Sequence, residues 1–293
     1  VRIASLLPAA TEIVGALGLV NDLVAVTFEC DRPDVRATRP VVVDSALPAG
    51  LGPAEIDAIV RDRAARGLPQ YTLDRDALRD AAPGLVLTQD LCRVCALPES
   101  TVAEALDELG LDAAVLTVDP HTLDDVLDAI EAVARAAGAD DAGAALVGDL
   151  RQRLQAIDGA LAGRRRPRVL ALEWTDPPYR PGHWVPAMVR RAGGEPLAGV
   201  DGGRSVATTW DDARAQQPDV VLVAPCGFGL DDAIAQAEEV RRRMAGVPLL
   251  AIDSASYVVR AGPRLVDGIE AIAHALHPDA LPAPPPGRIT VLS

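Results

Sequence analysis

The stretch Val1-Arg2-Ile3-Ala4-Ser5-Leu6-Leu7-Pro8-Ala9-Ala10-Thr11-Glu12-Ile13-Val14-Gly15-Ala16-Leu17-Gly18-Leu19-Val20-Asn21-Asp22-Leu23-Val24-Ala25-Val26-Thr27 decides the architecture. Val1 to Leu6 reads as a short apolar strand, Thr11 to Leu17 as a helix, and Leu23 to Thr27 as a second strand. Two strands separated by a helix pair in parallel, because the crossover returns the chain to the same end of the sheet.

Working outward, the same alternation continues. Leu85 to Thr88 reads as a strand, Val102 to Leu109 as a helix and Ala114 to Val118 as a strand. An excursion between Asp44 and Asp74 carries its own helix, from about Pro53 to Arg66, with proline in the first turn. Thr122 to Ala136 and Asp141 to Leu161 are Ala-rich, charged and helical in pattern. A second α/β series follows the basic run Gly163 to Arg168. It comprises strands at Val169 to Leu172, Val220 to Val223 and Leu249 to Ile252, and helices at Val185 to Ala192, Thr209 to Gln216, Leu230 to Met244 and Pro263 to Leu276. The Pro-rich end, Pro278 to Ser293, is expected to wrap the surface or fray. The expected fold is therefore α/β, with two Rossmann-like lobes of parallel sheet joined by a long helix and a ligand cleft between the lobes. The boundaries are an N-terminal lobe over 1–120, a connecting helical segment over 121–163 and a C-terminal lobe over 164–293.

Composition narrows the function. The chain of 293 residues is 49% hydrophobic, ample for two cores, and its formal net charge of -14 opposes binding to nucleic acid or anionic lipid. No apolar run is long enough to span a bilayer, and no basic or apolar leader precedes the first strand, so membrane insertion is not expected and a cytoplasmic location is favoured. Removal of an export signal would make it extracytoplasmic. Enzyme signatures are thin: there is no Gly-x-Ser-x-Gly elbow, no phosphate-cradling Gly-x-x-x-x-Gly-Lys and no His-Glu-x-x-His. The expectation is a binding protein and not an enzyme.

Ligands of open parallel sheets bind beyond the carboxyl ends of the strands. The loops there hold most of the unusual residues. The chain has three Trp, three Tyr and two Phe, and Phe28, Trp174, Tyr179, Trp184, Phe228 and Tyr257 fall in or beside these loops. They either pad the loop bases or form an apolar wall for a large, flat ligand. Pro8 and Glu29, in the first two of these loops, join the candidate ligand-binding set, as does His183, which is either a polar contact or an ordinary loop residue. The cysteines, Cys30, Cys92, Cys95 and Cys226, also lie in these loops, with a Cys-x-x-Cys spacing at Cys92 and Cys95. They are either small packed thiols or a set converging on zinc or an iron–sulfur cluster.

Ser5-Leu6-Leu7-Pro8-Ala9-Ala10-Thr11-Glu12-Ile13, followed by Ala16-Leu17-Gly18-Leu19 and Val24-Ala25-Val26-Thr27, resembles the first strand–helix–strand unit of ABC-transporter substrate-binding proteins of the helical-backbone class, and is most similar to cobalamin-binding members. Ala82-Pro83-Gly84-Leu85-Val86-Leu87, Gln217-Pro218-Asp219-Val220-Val221-Leu222 and the central helix extend the resemblance over nearly the whole chain. It implies a corrinoid (cobalamin) or an iron chelate as ligand. It also implies an ABC permease as partner, docked through one acidic residue per lobe, here Asp76 and Asp211, each a methylene shorter than the family's usual Glu. The missing export signal, the Asp44 to Tyr71 excursion and the four cysteines look like a cytoplasmic branch. Its alternative function would be metal or iron–sulfur binding through Cys30, Cys92, Cys95 and Cys226.

Overall fold

The computed structural model describes residues 1–89 and 99–292. Its contacts divide the chain into two units, one of residues 1–120 and 124–148 and one of residues 121–123 and 149–292.

The first unit contains β1 (Ile3–Ser5), α1 (Pro8–Ala16), β2 (Leu23–Thr27), β3 (Val41–Ser45), α2 (Pro53–Ala65), β4 (Tyr71–Leu73), α3 (Arg75–Ala81), β5 (Leu85–Thr88), α4 (Glu99–Leu109), β6 (Ala114–Thr117) and α5 (Leu123–Ala136). Its sheet runs β4-β3-β2-β1-β5-β6 and is parallel except for the antiparallel β3–β4 pair. All residues of β1 and β5 are buried, as expected of strands covered on both faces. One layer of the core gathers Ala4, Leu6, Ala25 and Val86 against Leu78 of α3 and Val102 and Leu106 of α4. Pro8 opens α1, where its missing N–H costs nothing. Ala82, in the left-handed region at φ 42°, ends α3 ahead of Pro83.

The excursion is therefore part of the sheet. It supplies β4 and the end of β3; Val41 to Ser45, led by the β-branched Val41-Val42-Val43, and Tyr71 to Leu73 sit in register as Val43 opposite Leu73 and Ser45 opposite Tyr71.

The long helix α6 (Asp140–Leu161) is continuous, and its residues are shared between the two units. Val147, Leu150, Leu154, Ile157 and Leu161 are all buried and recur at helical spacing along it.

The second unit contains β7 (Arg168–Leu172), β8 (Trp174–Thr175), β9 (Pro178–Arg180), α7 (Val185–Arg191), β10 (Glu195–Pro196), β11 (Val206–Ala207), α8 (Trp210–Ala215), β12 (Val220–Val223), α9 (Leu230–Arg243), β13 (Leu249–Ile252), α10 (Ser254–Tyr257), α11 (Arg264–Leu276) and β14 (Ile289–Leu292). The main sheet runs β10-β7-β12-β13-β14, and a small antiparallel sheet, β11-β9-β8, follows the carboxyl end of β7. The expectation of a fraying end is corrected here. Ile289 to Leu292 pair antiparallel with β13, Leu249 opposite Leu292 and Ile252 opposite Ile289. The proline run only bridges α11 to this edge, and the β-branched Ile289-Thr290-Val291 that follows is well suited to a strand. Arg153 of α6 clamps α11 through Nε to Glu270 Oε1 (2.9 Å) and Nη2 to Asp267 Oδ1 (2.6 Å).

Among the described residues, no helix is long and apolar enough to cross a membrane.

Candidate functional site

In the first unit, the loops after β1 and β2 bring Pro8, Phe28 and Glu29 together. The half-buried rings of Phe28 and Tyr71 face each other at 6.4 Å between centroids, tilted by 39°. With Leu6, Thr27 and Val43 they line a small recess at the carboxyl end of β1 and β2. Glu29 is held by its backbone, whose N–H donates to Thr27 Oγ1 at 3.1 Å. Tyr71 was not among the sequence candidates. It comes to this recess because β4 pairs with β3, a consequence of the excursion joining the sheet. A more open groove lies at the opposite, amino-terminal end of these strands, beside Arg2, Asn21, Arg39 and Asp80. Its guanidinium groups bond main-chain carbonyls, Arg2 Nε to Ala82 O at 3.0 Å and Arg39 Nη1 to Thr38 O at 3.1 Å.

Cys30, in the loop after β2, is 1% exposed. Thr11 Oγ1 lies 2.9 Å from its sulfur and Thr27 N donates to it at 3.4 Å. Thr11 Oγ1 in turn donates to Ser5 Oγ at 2.8 Å. Cys226 is exposed, in the loop after β12. Cys92 and Cys95 lie outside the described residues. Among the described residues, no three or more His, Cys, Asp or Glu side chains are gathered closely enough to hold a metal ion.

In the second unit, Trp174 and Phe228 pair at 5.6 Å between centroids, tilted by 54°, both half-buried. Hydrogen bonds hold the Trp174 indole and the Phe228 main chain. The Trp174 indole N–H donates to Asp176 O at 3.0 Å, and Phe228 O accepts from Ala255 N at 3.0 Å. Tyr179 stands in β9, opposite Trp174 in register. His183 adopts φ 48°, and its main chain exchanges bonds with the following loop: His183 N donates to Gly203 O at 2.6 Å and Gly202 N donates to His183 O at 2.9 Å. Tyr257 is flanked by two guanidinium groups, Arg264 at 5.4 Å and Arg288 at 5.1 Å from the ring centroid.

Trp184 departs from the expected wall of rings. It is 5% exposed, and its indole N–H donates to Val258 O at 2.7 Å. Its large apolar surface is spent on the core at the start of α7.

Glu173, next to Trp174, was not singled out in the sequence. Its Oε1 accepts from Gly182 N at 3.0 Å, and its Oε2 meets the Ser205 hydroxyl. Burial pushes the carboxyl up to about 7, against the lowering effect of the hydrogen bonds from Ser205 and Gly182.

The two residues assigned to docking are solvent-facing. The Asp76 side chain is 84% exposed in the first turn of α3 and pairs with Arg79 at 2.7 Å; that of Asp211 is 90% exposed in the first turn of α8 and pairs with Arg214. Asp74 and Thr209, not these residues, cap the two helices, accepting from Ala77 N and Asp212 N.

Residues 3–250 match the sequence profile of the family described as periplasmic binding protein. Solved structures of similar fold include the apo form of the periplasmic heme-binding protein RhuT from Roseiflexus sp. RS-1, 23% identical with a TM-score of 0.67 over 95% of this chain and 98% of that one. The periplasmic vitamin B12 binding protein BtuF of Vibrio cholerae is 23% identical with a TM-score of 0.66 over 94% and 96%. A periplasmic heme binding protein from Pseudomonas aeruginosa is 20% identical with a TM-score of 0.71 over 100% and 98%. At these identities the likeness is one of fold. No curated protein matches the chain in sequence.

Proposed function

Because the chain belongs to the periplasmic binding protein family, whose profile spans residues 3–250, we propose that it is the substrate-binding protein of an ABC transporter and that its ligand is a flat macrocycle of the tetrapyrrole class. The observation that carries this reading is the Trp174–Phe228 pair, two half-buried rings facing each other at the carboxyl end of the second unit's sheet. Such a surface suits a broad apolar ring system better than a sugar, an amino acid or a bare ion, each of which needs a denser set of polar partners. In the first unit, the Phe28–Tyr71 recess is a surface of the same kind at the corresponding end of its own sheet.

A corrinoid is the first candidate, because the opening motif resembles cobalamin-binding members and a vitamin B12 binding protein shares the fold. Heme is the second, supported by heme-binding structures of the same fold. Delivery to a permease follows from the family, and the exposed Asp76 and Asp211 are the carboxylates proposed to dock there. The family's periplasmic members favour an extracytoplasmic location, and the cytoplasmic expectation finds no support in them.

Calorimetry with cobalamin, cobinamide and hemin tests the assignment. Binding of at least one at micromolar affinity is expected; no heat from any of the three with folded protein at about 100 micromolar refutes it.

A further inference from the structure

We propose that Glu173 is a positioning residue of this ligand site: its side chain clasps the segment around Ser205 to the turn at Gly182, and so fixes the small β8–β9–β11 sheet that presents Trp174 and Tyr179. The proposal rests on the ligand reading above for its functional meaning, and on the geometry below for its structural one.

Glu173 stands directly after β7 and bonds in four directions. Its backbone N–H donates to Tyr179 O at 3.2 Å, and its carbonyl accepts from Cys226 N at 2.9 Å. Its carboxyl takes Gly182 N on one oxygen, at 3.0 Å, and the Ser205 hydroxyl on the other. One side chain thus ties together positions 9 and 32 residues further along the chain. Both oxygens bond protein groups, and through them the carboxyl supports the site.

The strand it secures cannot secure itself. β11 is two residues long, Val206–Ala207, both exposed, and its partner is the short strand β9, with Val206 opposite Arg180 and Ala207 opposite Tyr179. Gly182 completes the clasp by letting the two backbones touch. A Cβ there would lie 2.4 Å from Ser205 N and 2.5 Å from Arg204 C, closer than real side chains approach main chain. Without the Glu173 carboxyl, the Ser205 hydroxyl retains only Arg180 O, at 2.9 Å, and Gly182 N–H loses its acceptor.

The test compares E173A, E173Q and S205A in the whole protein. Glutamine keeps a carbonyl for Gly182 N–H and an amide for Ser205 Oγ, so it should restore what alanine removes. In ligand-free protein, E173A is expected to speed amide hydrogen exchange about tenfold or more at residues 182 and 205–207, with exchange in β12 and β13 unchanged and E173Q close to the wild type. Affinity for cobinamide or hemin, whichever the wild type binds, should fall about tenfold in E173A and by less than about threefold in E173Q. Unchanged local exchange in E173A overturns the clasp. Faster exchange with undiminished affinity overturns its positioning role, and so does an E173Q variant that behaves like E173A. S205A, the milder cut, decides the same points should E173A not fold. A wild type that binds no macrocycle would refute the ligand reading alone, since the exchange measurement needs no ligand.

Discussion

A buried acid whose proton is held up to about pH 7 makes stability depend on pH in a direction opposite to that of a salt-bridged carboxylate. The unfolded chain releases the Glu173 proton near the ordinary value of 4.5, whereas the folded protein keeps it until about 7. Between those values the native state binds more protons than the unfolded one, so stability falls as pH rises. The contribution is fully present below about pH 4 and is lost as pH passes through 7. The separation corresponds to about 3 kcal/mol at about 1.4 kcal/mol per pH unit, an upper figure because Glu173 keeps partial exposure and solvent screens its charge. The assay is urea denaturation of wild type and E173Q at a series of values from about pH 4 to 8, read as the difference between the two proteins so that every other titrating group cancels. The wild type should lose about 2–3 kcal/mol relative to E173Q across that range, with the steepest change between about 5 and 7. A difference that is flat with pH, or that rises, refutes the enclosure of this carboxyl. The hydrogen bonds from Ser205 and Gly182 oppose this retained proton, and burial outweighs them. The Ser205 hydroxyl has one hydrogen and two close oxygens, Glu173 Oε2 and Arg180 O. That single hydrogen is shared between the two acceptors, which leaves burial the larger influence on Glu173.

Four further substitutions probe the site and its supports. W174A and F228A should each weaken macrocycle binding about tenfold by titration calorimetry, and the double variant by less than the product, since the two rings touch each other. Unchanged affinity in both would place the ligand elsewhere. G182A should cost about 2 kcal/mol or more in urea denaturation, because the added Cβ meets backbone and not a movable side-chain tip. R153A should cost about 1–2 kcal/mol by the same measure, since it leaves Glu270 without the cation that joins α6 to α11 while Asp267 keeps Arg288 at 3.4 Å.

The strands and helices around each sheet were legible because burial on both faces makes central strands continuous apolar runs: Leu85 to Thr88, Val220 to Val223 and Leu249 to Ile252 appear where the sequence places them. Two antiparallel edge strands were not. Ile289 to Leu292 is hidden behind a proline run, and Tyr71 to Leu73 is too short to show a period, although both are fixed by pairing with a neighbour. Loops at carboxyl ends converge, and two ring pairs form there, Trp174 with Phe228 and Phe28 with Tyr71, the last of which the sequence reading did not include. The fates of individual rings were not legible: Trp174 and Trp184 occupy one connection, yet one faces its partner ring and the other is buried on Val258. That difference is set by where the indole N–H finds an acceptor, which loop position does not encode. The Glu173–Ser205 bond was equally out of reach, for a contact across 32 residues leaves no local pattern.

These positions share a physical logic that bears on what the site can recognise. Trp174 is anchored by its own indole bond to Asp176 O, Phe228 by bonds at Pro225 O and Ala255 N, and the end of β7 is tied to the Phe228 loop through Cys226 N and Glu173 O. The loops that carry the pair are thus tied by the protein's own hydrogen bonds, and a ligand arriving on them has little loop entropy left to overcome. A rigid macrocycle also surrenders few rotations on binding, so the affinity of such a pair rests mainly on buried apolar area and on the tilt of the rings against the ligand plane. Recognition of that kind reads the shape and breadth of the ring system and is tolerant of substituents at its edge. On these grounds cobalamin and cobinamide, which share the corrin plane, should bind this surface with similar strength, and any discrimination between them must come from polar groups beyond Trp174 and Phe228.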